Sequence, residues 1–260
     1  MTPAAPAAEV FDRPDFSDAE VRGLEAVAAG AWPAQVREPL DGWLLRHSAA
    51  PTRRVNSTFP NACGGGLELA ERIGRAETFY RDRGQPPRFQ LTRASLPAGL
   101  DAELAARGYV VEAPVDIQVA AAGAIGPGPA PAGEVVVRET LTPAWMEVYA
   151  EGFGRDVTAV IDELGYRAAF AAFERDGETL AVGLGVGGDG WLGVFGMLTL
   201  EAERGRGIGR ALLAALAADA RAAGAWGLYL QVEKDNPRAR ALYERCGFRT
   251  VYDYHYRTLF

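Results

Sequence analysis

The sequence predicts an α/β protein (α+β in some classification schemes) that is built from two similar halves. Strand-like and helix-like segments alternate along the chain. The hydrophobic residues 191–200 predict a strand, and the apolar positions from Ile208 onward follow a helical period. A unit of strand, helix and Gly-aromatic turn occurs twice, at residues 89–108 and 228–247, with the same separation of 19 residues. We therefore predict two related domains in tandem.

An uncharged segment separates the two halves. Residues 120–133 are rich in Gly, Pro and Ala, a composition that is typical of a linker. We predict a loose N-terminal segment at residues 1–16, a first domain at 17–119, the linker at 120–133 and a second domain at 134–260.

Helix start and stop signals define the elements of the first half. Ser17 and Glu20 form a capping-box pattern at the start of a helix, and Gly84 fits the end of the next one. The predicted elements are a helix at 17–29, strands at 42–46 and 53–59, a helix at 67–83, a strand at 88–92, a helix at 100–106, and strands at 108–111 and 115–119.

The second half has equally clear signals. Thr142 and Pro143 form an N-cap and a favoured first helical residue, and Asp176-Gly177 predicts a hairpin turn. The predicted elements are a strand at 135–139, helical segments at 142–166, a hairpin of strands at 169–174 and 179–186, the strand at 191–200, a helix at 208–224, a strand at 227–233, a helix at 236–247 and strand-like residues at 248–260.

A glycine-rich turn joins the strand at 191–200 to the helix that follows it. Its residues are Arg204, Gly205, Arg206, Gly207, Ile208, Gly209 and Arg210. The first backbone N–H groups of a helix have no internal partner, and the helix dipole favours anions there. Glycines allow the backbone to approach an anion closely, and three arginines add positive charge. The turn therefore predicts a phosphate or diphosphate site.

Two well-known phosphate loops do not match this turn. It has no Gly-Lys-Ser/Thr ending, and Gly205 and Gly207 are followed by Arg210 where a dinucleotide motif needs glycine or alanine. The spacing Arg204-x-x-Gly207-x-Gly209 instead resembles the acyl-CoA diphosphate loop of the GNAT superfamily of N-acetyltransferases.

A second motif downstream supports the same resemblance. The GNAT superfamily often ends in Asn-x-x-Ala-x-x-x-Tyr-x-x-x-Gly-Phe. Each named position is present here: Asn236, Ala239, Tyr243, Gly247 and Phe248. The resemblance implies two tandem GNAT-like domains, each with a mixed, mostly antiparallel sheet flanked by helices. The second domain would be catalytic, and the first would be a degenerate copy that lacks the arginines.

The resemblance also implies acetyl-CoA as co-substrate and a set of binding residues. Backbone groups near Leu198, Thr199 and Leu200 would hold the pantetheine arm where the strand bulges. The turn at 204–210 would hold the diphosphate, and Asn236 would face the cofactor arm. The strands at 191–200 and 227–233 would splay to admit the thioester.

Tyr243 is implied as the general acid that returns a proton to the departing CoA thiolate. It also shares one helix face with Ala239, Leu242 and Cys246, so a packing role stays open. Glu233 is the first candidate for the base that deprotonates the amine, and the alternatives are Asp235, Glu201 and His255. Trp191 and Tyr254 are candidates for the acceptor pocket or for the core.

Composition limits the partners. A formal net charge of −7 argues against nucleic acid, and we find no apolar run of about 20 residues that would span a membrane. Two cysteines and two histidines give no metal set, and the start of the chain does not resemble a secretory signal. We predict a cytoplasmic enzyme that acetylates a small-molecule amine in preference to a protein. An acyl-CoA-binding regulatory protein without turnover is the alternative. The sequence fixes neither the acceptor, the acyl length nor the oligomeric state.

Overall fold

The chain folds into two units. The computed structural model describes residues 9–13, 15–129 and 131–260. The N-terminal unit comprises Asp15–Asp116, Val157–Glu163 and Tyr252–Phe260. The C-terminal unit comprises the other described residues, chiefly Ile117–Asp156 and Leu164–Val251.

Helices and strands alternate through both units, as predicted. The elements of the described residues, in chain order, are α1 (Glu9–Asp12), α2 (Asp18–Ala31), β1 (Val36–Leu40), β2 (Trp43–His47), α3 (Leu69–Arg81), β3 (Arg88–Thr92), α4 (Leu100–Ala106), β4 (Val110–Ala121), β5 (Glu134–Arg138), α5 (Pro143–Phe153), α6 (Thr158–Ile161), β6 (Ala168–Arg175), β7 (Glu178–Gly188), β8 (Trp191–Thr199), α7 (Ile208–Ala222), β9 (Gly227–Glu233), α8 (Pro237–Arg245) and β10 (Arg249–Thr258).

The sheet of the C-terminal unit has the strand order β4–β9–β8–β7–β6–β5. The pairs from β5 to β8 are antiparallel, and β8 and β9 are parallel. Asp176 and Gly177 both have positive φ in the turn between β6 and β7, as the predicted hairpin requires. Helices flank this mixed, mostly antiparallel sheet, so the predicted fold class is confirmed.

Helix α7 forms the main contact with the sheet of the C-terminal unit. Its apolar face is fully buried, because Ile208, Leu212 and Leu216 recur at the helical period. They pack against sheet residues such as Leu192 and Leu228. This packing fixes the N-terminus of α7 at the end of β8.

The N-terminal unit has its own strand pairs and its own core. Strand β10 pairs antiparallel with β3, and β1 and β2 form a separate antiparallel pair. The predicted capping box at the start of α2 is present: Glu20 N–H donates to Ser17 Oγ, and Ser17 N–H donates to Glu20 Oε2. Its core includes large aromatic residues, for example Trp43, Tyr80 and Phe89.

The positions of the helices in the two halves of the chain confirm the internal repeat. Helices α3 and α7 begin at residues 69 and 208, and α4 and α8 end at residues 106 and 245, so a shift of 139 residues relates both pairs. The two shorter helices also end alike. Tyr109 N–H donates to Leu104 O, and Phe248 N–H donates to Tyr243 O, each around a glycine with positive φ.

Several predicted elements were wrong. Residues 53–59 are not a strand: Arg53–Val55 forms a 3₁₀ turn, and only Thr58 and Phe59 make isolated bridges. The two strands predicted at 108–119 are the single strand β4, and the helical segment predicted to reach residue 166 ends at Ile161. Strand β1 was not predicted, because its mixed sequence with Pro39 lacks alternation.

The units are not the two consecutive halves that the sequence suggests. Residues 157–163 and 252–260 lie in the N-terminal unit, although they follow the linker, and the described part of the linker lies in the C-terminal unit. The predicted loose segment at 1–16 is mostly outside the described residues, and its residues 9–12 form α1. In the described part of the chain, we find no helix that is long and apolar enough to span a membrane.

Candidate functional site

The parallel strands β8 and β9 separate part-way along their length. They pair from Trp191 and Gly227 to Val194 and Leu230. Beyond these residues β8 continues to Thr199 without a β9 partner in the register. The predicted splay is therefore present at the end of β8 that leads to the glycine-rich turn.

A β-bulge interrupts β8 just beyond the splay. Val182 of β7 pairs with Leu198, whereas Leu184 pairs with Phe195, so Gly196 and Met197 together oppose one residue of β7. Gly196 has a φ of +57°, and a side chain there would meet the ring of Tyr149 at 2.8 Å. Glycine is therefore needed at this position for both conformation and space.

The backbone after the bulge is only partly available to a ligand. The N–H of Leu200 donates to Leu180 O at 3.0 Å, and Thr199 O accepts from Arg204 Nε at 3.0 Å. Of the three predicted pantetheine contacts, the main-chain groups of Leu198 lie nearest the bulge. The roles of all three residues stay predictions.

The glycine-rich turn leads directly into the N-terminus of α7. Gly205 and Gly207 have φ of +82° and +84°, a conformation that side chains rarely adopt. Gly207 is the N-cap and offers no capping side chain, and the first backbone bond of the helix is from Ala211 N–H to Gly207 O. The amides of Ile208, Gly209 and Arg210 are therefore those that a helix leaves without internal partners.

Neighbouring groups already hold two of the three arginines of the turn. Arg206 donates to Glu203 Oε2 at 3.2 Å, and Arg204 donates to the main chain of β8. Glu203 is buried and also accepts two hydrogen bonds from Arg175, which lower the pKa of Glu203. Ion pairs with Glu203 thus stabilise the turn. The side chain of Arg210 lies instead beside Gly128 of the linker.

The described part of the linker lies against this turn. A side chain at Gly207 would come within 2.8 Å of Pro129 O, and a side chain at Gly128 would overlap the Nε and Cδ of Arg210. Ile125 anchors the segment, since it is 3% exposed in the core of the C-terminal unit. The Gly-rich composition of this segment predicted a linker, but it did not predict that the linker contacts the glycine-rich turn.

Helix α8 carries Asn236 and Tyr243 and contacts the start of α7. Asn236 Oδ1 caps α8 by accepting from Ala239 N at 3.1 Å. A side chain at Gly209 would meet Leu242 at 3.0 Å, so the two helices are in close contact there. Tyr243 is 8% exposed and packs against Phe248. Burial, followed by the adjacent Cys246, raises the pKa of Tyr243 to about 12.

The candidate bases are distributed over the molecule. Glu233 ends β9 and is exposed, as are Asp235 and Glu201 in the neighbouring loops of the C-terminal unit. His255 belongs to the N-terminal unit, where its Nε2 lies 3.0 Å from Asp101 Oδ1.

Neither aromatic candidate for the acceptor pocket is exposed. Trp191 is buried against Trp226 and Phe11, and Tyr254 is buried in the N-terminal unit.

Comparisons with known proteins match almost the whole chain. The family described as "Probable histone acetyltransferase Rv0428c C-terminal" matches residues 18–257. The "Uncharacterized N-acetyltransferase YobR" of Bacillus subtilis is 28% identical over 249 residues, which cover 92% of this chain and 98% of that protein. The chain belongs to the GNAT superfamily of N-acetyltransferases.

Solved GNAT structures have the same fold. A GCN5-related N-acetyltransferase from Kribbella flavida has a TM-score of 0.70 at 15% identity and covers 93% of this chain and 95% of its own. A tandem GNAT protein from the clavulanic acid biosynthesis pathway has a TM-score of 0.64 at 15% identity, covering 93% and 94%. At this identity the likeness concerns the fold alone.

The N-terminal unit of this GNAT protein has a turn at the equivalent position, but an internal carboxylate occupies it. Asp41 accepts hydrogen bonds from the N–H groups of Gly66 and Leu67 at 3.1 and 3.2 Å, and it pairs with Arg72. A side chain at Gly64 would overlap this carboxylate. These contacts, led by the Gly66 bond, lower the pKa of Asp41. Sequence reasoning missed Asp41, because no local pattern links it to the turn.

Proposed function

We propose that this GNAT protein transfers an acetyl group from acetyl-CoA to a primary amine, with the C-terminal unit as the catalytic part. The observation that carries the proposal is the uncapped N-terminus of α7 at the end of two splayed parallel strands. A diphosphate fits this position because helix amides and the helix dipole both favour an anion there. The positive-φ glycines keep side chains away from these amides.

The binding residues follow from this position. The amides of Ile208, Gly209 and Arg210 would bind the diphosphate, and the main chain at Leu198 and beyond would bind the pantetheine arm. Asn236 would border the arm from the start of α8. When bound, acetyl-CoA supplies the activated acyl group, and the protein orients it and excludes water. Backbone N–H groups at the splay would stabilise developing negative charge on the carbonyl oxygen.

Tyr243 is the proposed general acid. Its pKa of about 12 keeps the phenol protonated at neutral pH, as an acid requires. A thiol has a pKa of about 8.5, so this phenol holds its proton more tightly than the leaving group would. We therefore propose that ligand binding hydrates the phenol or hydrogen-bonds it, which would lower its pKa toward the ordinary value.

Glu233 is the proposed base, acting directly or through water on the ammonium of the acceptor. It stands at the end of β9, on the strand that separates from β8. Asp235 and Glu201 are the alternatives in the same unit. A Glu233→Gln variant that keeps full turnover at every pH would assign the base to one of these two residues or to water.

Two other functions have an observation in their favour. The burial of Tyr243 in the core favours an acyl-CoA-binding protein without turnover. The words "histone acetyltransferase" in the description of the matching family favour a lysine side chain of a protein as acceptor. The net charge of −7 is compatible with either a small cationic amine or a basic peptide.

A CoA-release assay separates these functions. The full chain is incubated with acetyl-CoA and a panel of polyamines, amino acids, amino sugars and lysine-containing peptides. Turnover with a free amine supports the proposal, turnover with peptides alone supports a protein acceptor, and CoA binding without release supports the regulatory function.

The Tyr243→Phe variant tests the general acid in the same assay. We expect about 100-fold slower turnover, which is the lower end of the contribution of a general acid. Tyr109→Phe, in the N-terminal unit, is the matched control and should keep full turnover. Full turnover by Tyr243→Phe with retained fold would assign Tyr243 to the core alone.

A further inference from the structure

A cavity of about 190 Å³ lies beside the glycine-rich turn. The linker, the start of α7 and the end of α8 enclose it, and all three belong to the C-terminal unit. Its lining residues are Ala124, Ile125, Gly126, Arg210, Arg245, Cys246 and Gly247.

The lining of this cavity is cationic. Among the described residues, the lining includes Arg210 and Arg245 and no Asp or Glu. Burial raises the pKa of the Cys246 thiol, while the charges of the two arginines act in the opposite direction, so the thiol contributes no negative charge at neutral pH. Two arginines without a carboxylate favour an anionic ligand, and guanidinium geometry suits phosphate oxygens.

Arg210 has a donor that the protein does not use. Its Nε is buried and has no hydrogen-bond partner among the described residues. A buried donor without an acceptor is costly, so a ligand oxygen at this point would recover a hydrogen bond. Gly128 packs against the same guanidinium, so the linker determines where this donor points.

The position of the cavity indicates which phosphate it binds. Arg210 is the third residue of α7, and its amide is the last of the three assigned to the diphosphate. In CoA the nucleotide that carries the diphosphate also carries a phosphate monoester on its ribose. A ligand held at the start of α7 therefore brings a second phosphate group to the vicinity of Arg210.

We infer that the linker segment 124–128, Arg210 and Arg245 form a subsite for the ribose phosphate of acyl-CoA. The inference rests on the proposed function, because it assumes a diphosphate at the turn. It adds that the protein distinguishes CoA from dephospho-CoA, and that the segment between its two halves is part of the ligand site.

Calorimetric titration of the full chain with CoA and with dephospho-CoA tests the inference. We expect CoA to bind at least about tenfold more tightly, since one charge-assisted contact is worth that much. Arg245→Ala should weaken the binding of CoA and leave the binding of dephospho-CoA unchanged. The ratio of the two affinities should then fall to about one to three. Arg238→Ala, on the same helix but outside the cavity, should keep the wild-type preference.

The linker is tested by a pair of glycine variants. Gly128→Ala displaces the Arg210 guanidinium and should lower the preference, whereas Gly123→Ala points into open space and should not. Circular dichroism checks that each variant keeps its fold. Equal affinity of the wild type for both ligands, or equal effects of Arg245→Ala and Arg238→Ala, would overturn the subsite and leave the proposed function intact. Absence of CoA binding would overturn both.

Discussion

The two glycine-rich turns of this protein differ in whether a carboxylate of the chain accepts hydrogen bonds from their backbone N–H groups. Both precede a helix, and a shift of 139 residues relates the helix starts at 69 and 208. In the N-terminal unit, the carboxylate of Asp41 accepts the N–H groups of Gly66 and Leu67. In the C-terminal unit, the neighbouring carboxylate of Glu203 accepts from arginine side chains instead.

This difference changes the explanation for the proposed single cofactor site. From the sequence, the lack of arginines made the first turn a poorer diphosphate site. The structure adds that the first turn already contains an anion, which its own chain supplies from residue 41. A second anion there would be repelled by the charge of Asp41, and the N–H groups of Gly66 and Leu67 already donate to that carboxylate. The first turn can therefore keep an anion-binding geometry without binding a ligand.

The largest effect should follow a substitution that blocks the glycine-rich turn at residues 204–210, which we call the open turn. Gly207→Val places a β-branched side chain at a φ of +84° and within 2.8 Å of Pro129 O. The turn must shift, and the amides assigned to the diphosphate would lose their alignment. We expect about 100-fold weaker CoA binding by calorimetry, which corresponds to one or two lost charge-assisted hydrogen bonds.

Gly65→Val is the matched control in the turn that Asp41 occupies, which we call the closed turn. A side chain at Gly65 would have no neighbour within 4 Å, and the φ of Gly65 is not positive. It should leave the affinity for CoA unchanged. If both variants weaken CoA binding equally, the two turns do not differ in the way proposed here.

A second prediction concerns the stability of the closed turn. Asp41→Asn removes the charge that pairs with Arg72, whose side chain is 4% exposed, so the melting temperature should fall at pH 7. Because the folded-state pKa of Asp41 is lowered, its contribution is present above the ordinary pKa of about 4 and is lost as pH falls through the folded value. The difference between variant and wild type should therefore shrink below pH 4.

Thermal melts of both proteins between pH 3 and 8 measure this difference. Asp235→Asn, on an exposed loop of the C-terminal unit, is the control and should melt like the wild type throughout. A constant difference across the whole pH range would mean that the charge of Asp41 is not what stabilises the turn.

Local signals explain what the sequence predicted, and distant contacts explain what it did not. The bounds of β9 and α4 were predicted as observed, because hydrophobic pattern and flanking turn residues define them. Asp41 lies 25 residues from Gly66, and no spacing rule connects them. Alternation predicted strand residues at the end of the chain, but it could not show that Tyr252–Phe260 belongs to the N-terminal unit.

The linker illustrates the same limit for the site. Its composition correctly indicated irregular structure, since Gly and Pro disfavour helices and strands. It did not show why residue 128 must be glycine, however, because that need arises only from contact with Arg210.

The smallest effect should come from an arginine of the open turn. Arg206 is exposed and paired with Glu203 at 3.2 Å, so part of its charge is already neutralised. We expect Arg206→Ala to weaken CoA binding only about threefold at low salt, in line with a surface ion pair, and less at high salt. Calorimetry at two salt concentrations measures this.

Arg75→Ala is the corresponding control on α3, where Arg75 forms an exposed pair with Glu71; it should leave CoA binding unchanged at both salt concentrations. A loss for Arg206→Ala as large as that for Gly207→Val would reverse the order proposed here. Arginine charge, and not the open backbone, would then be the main difference between the two turns.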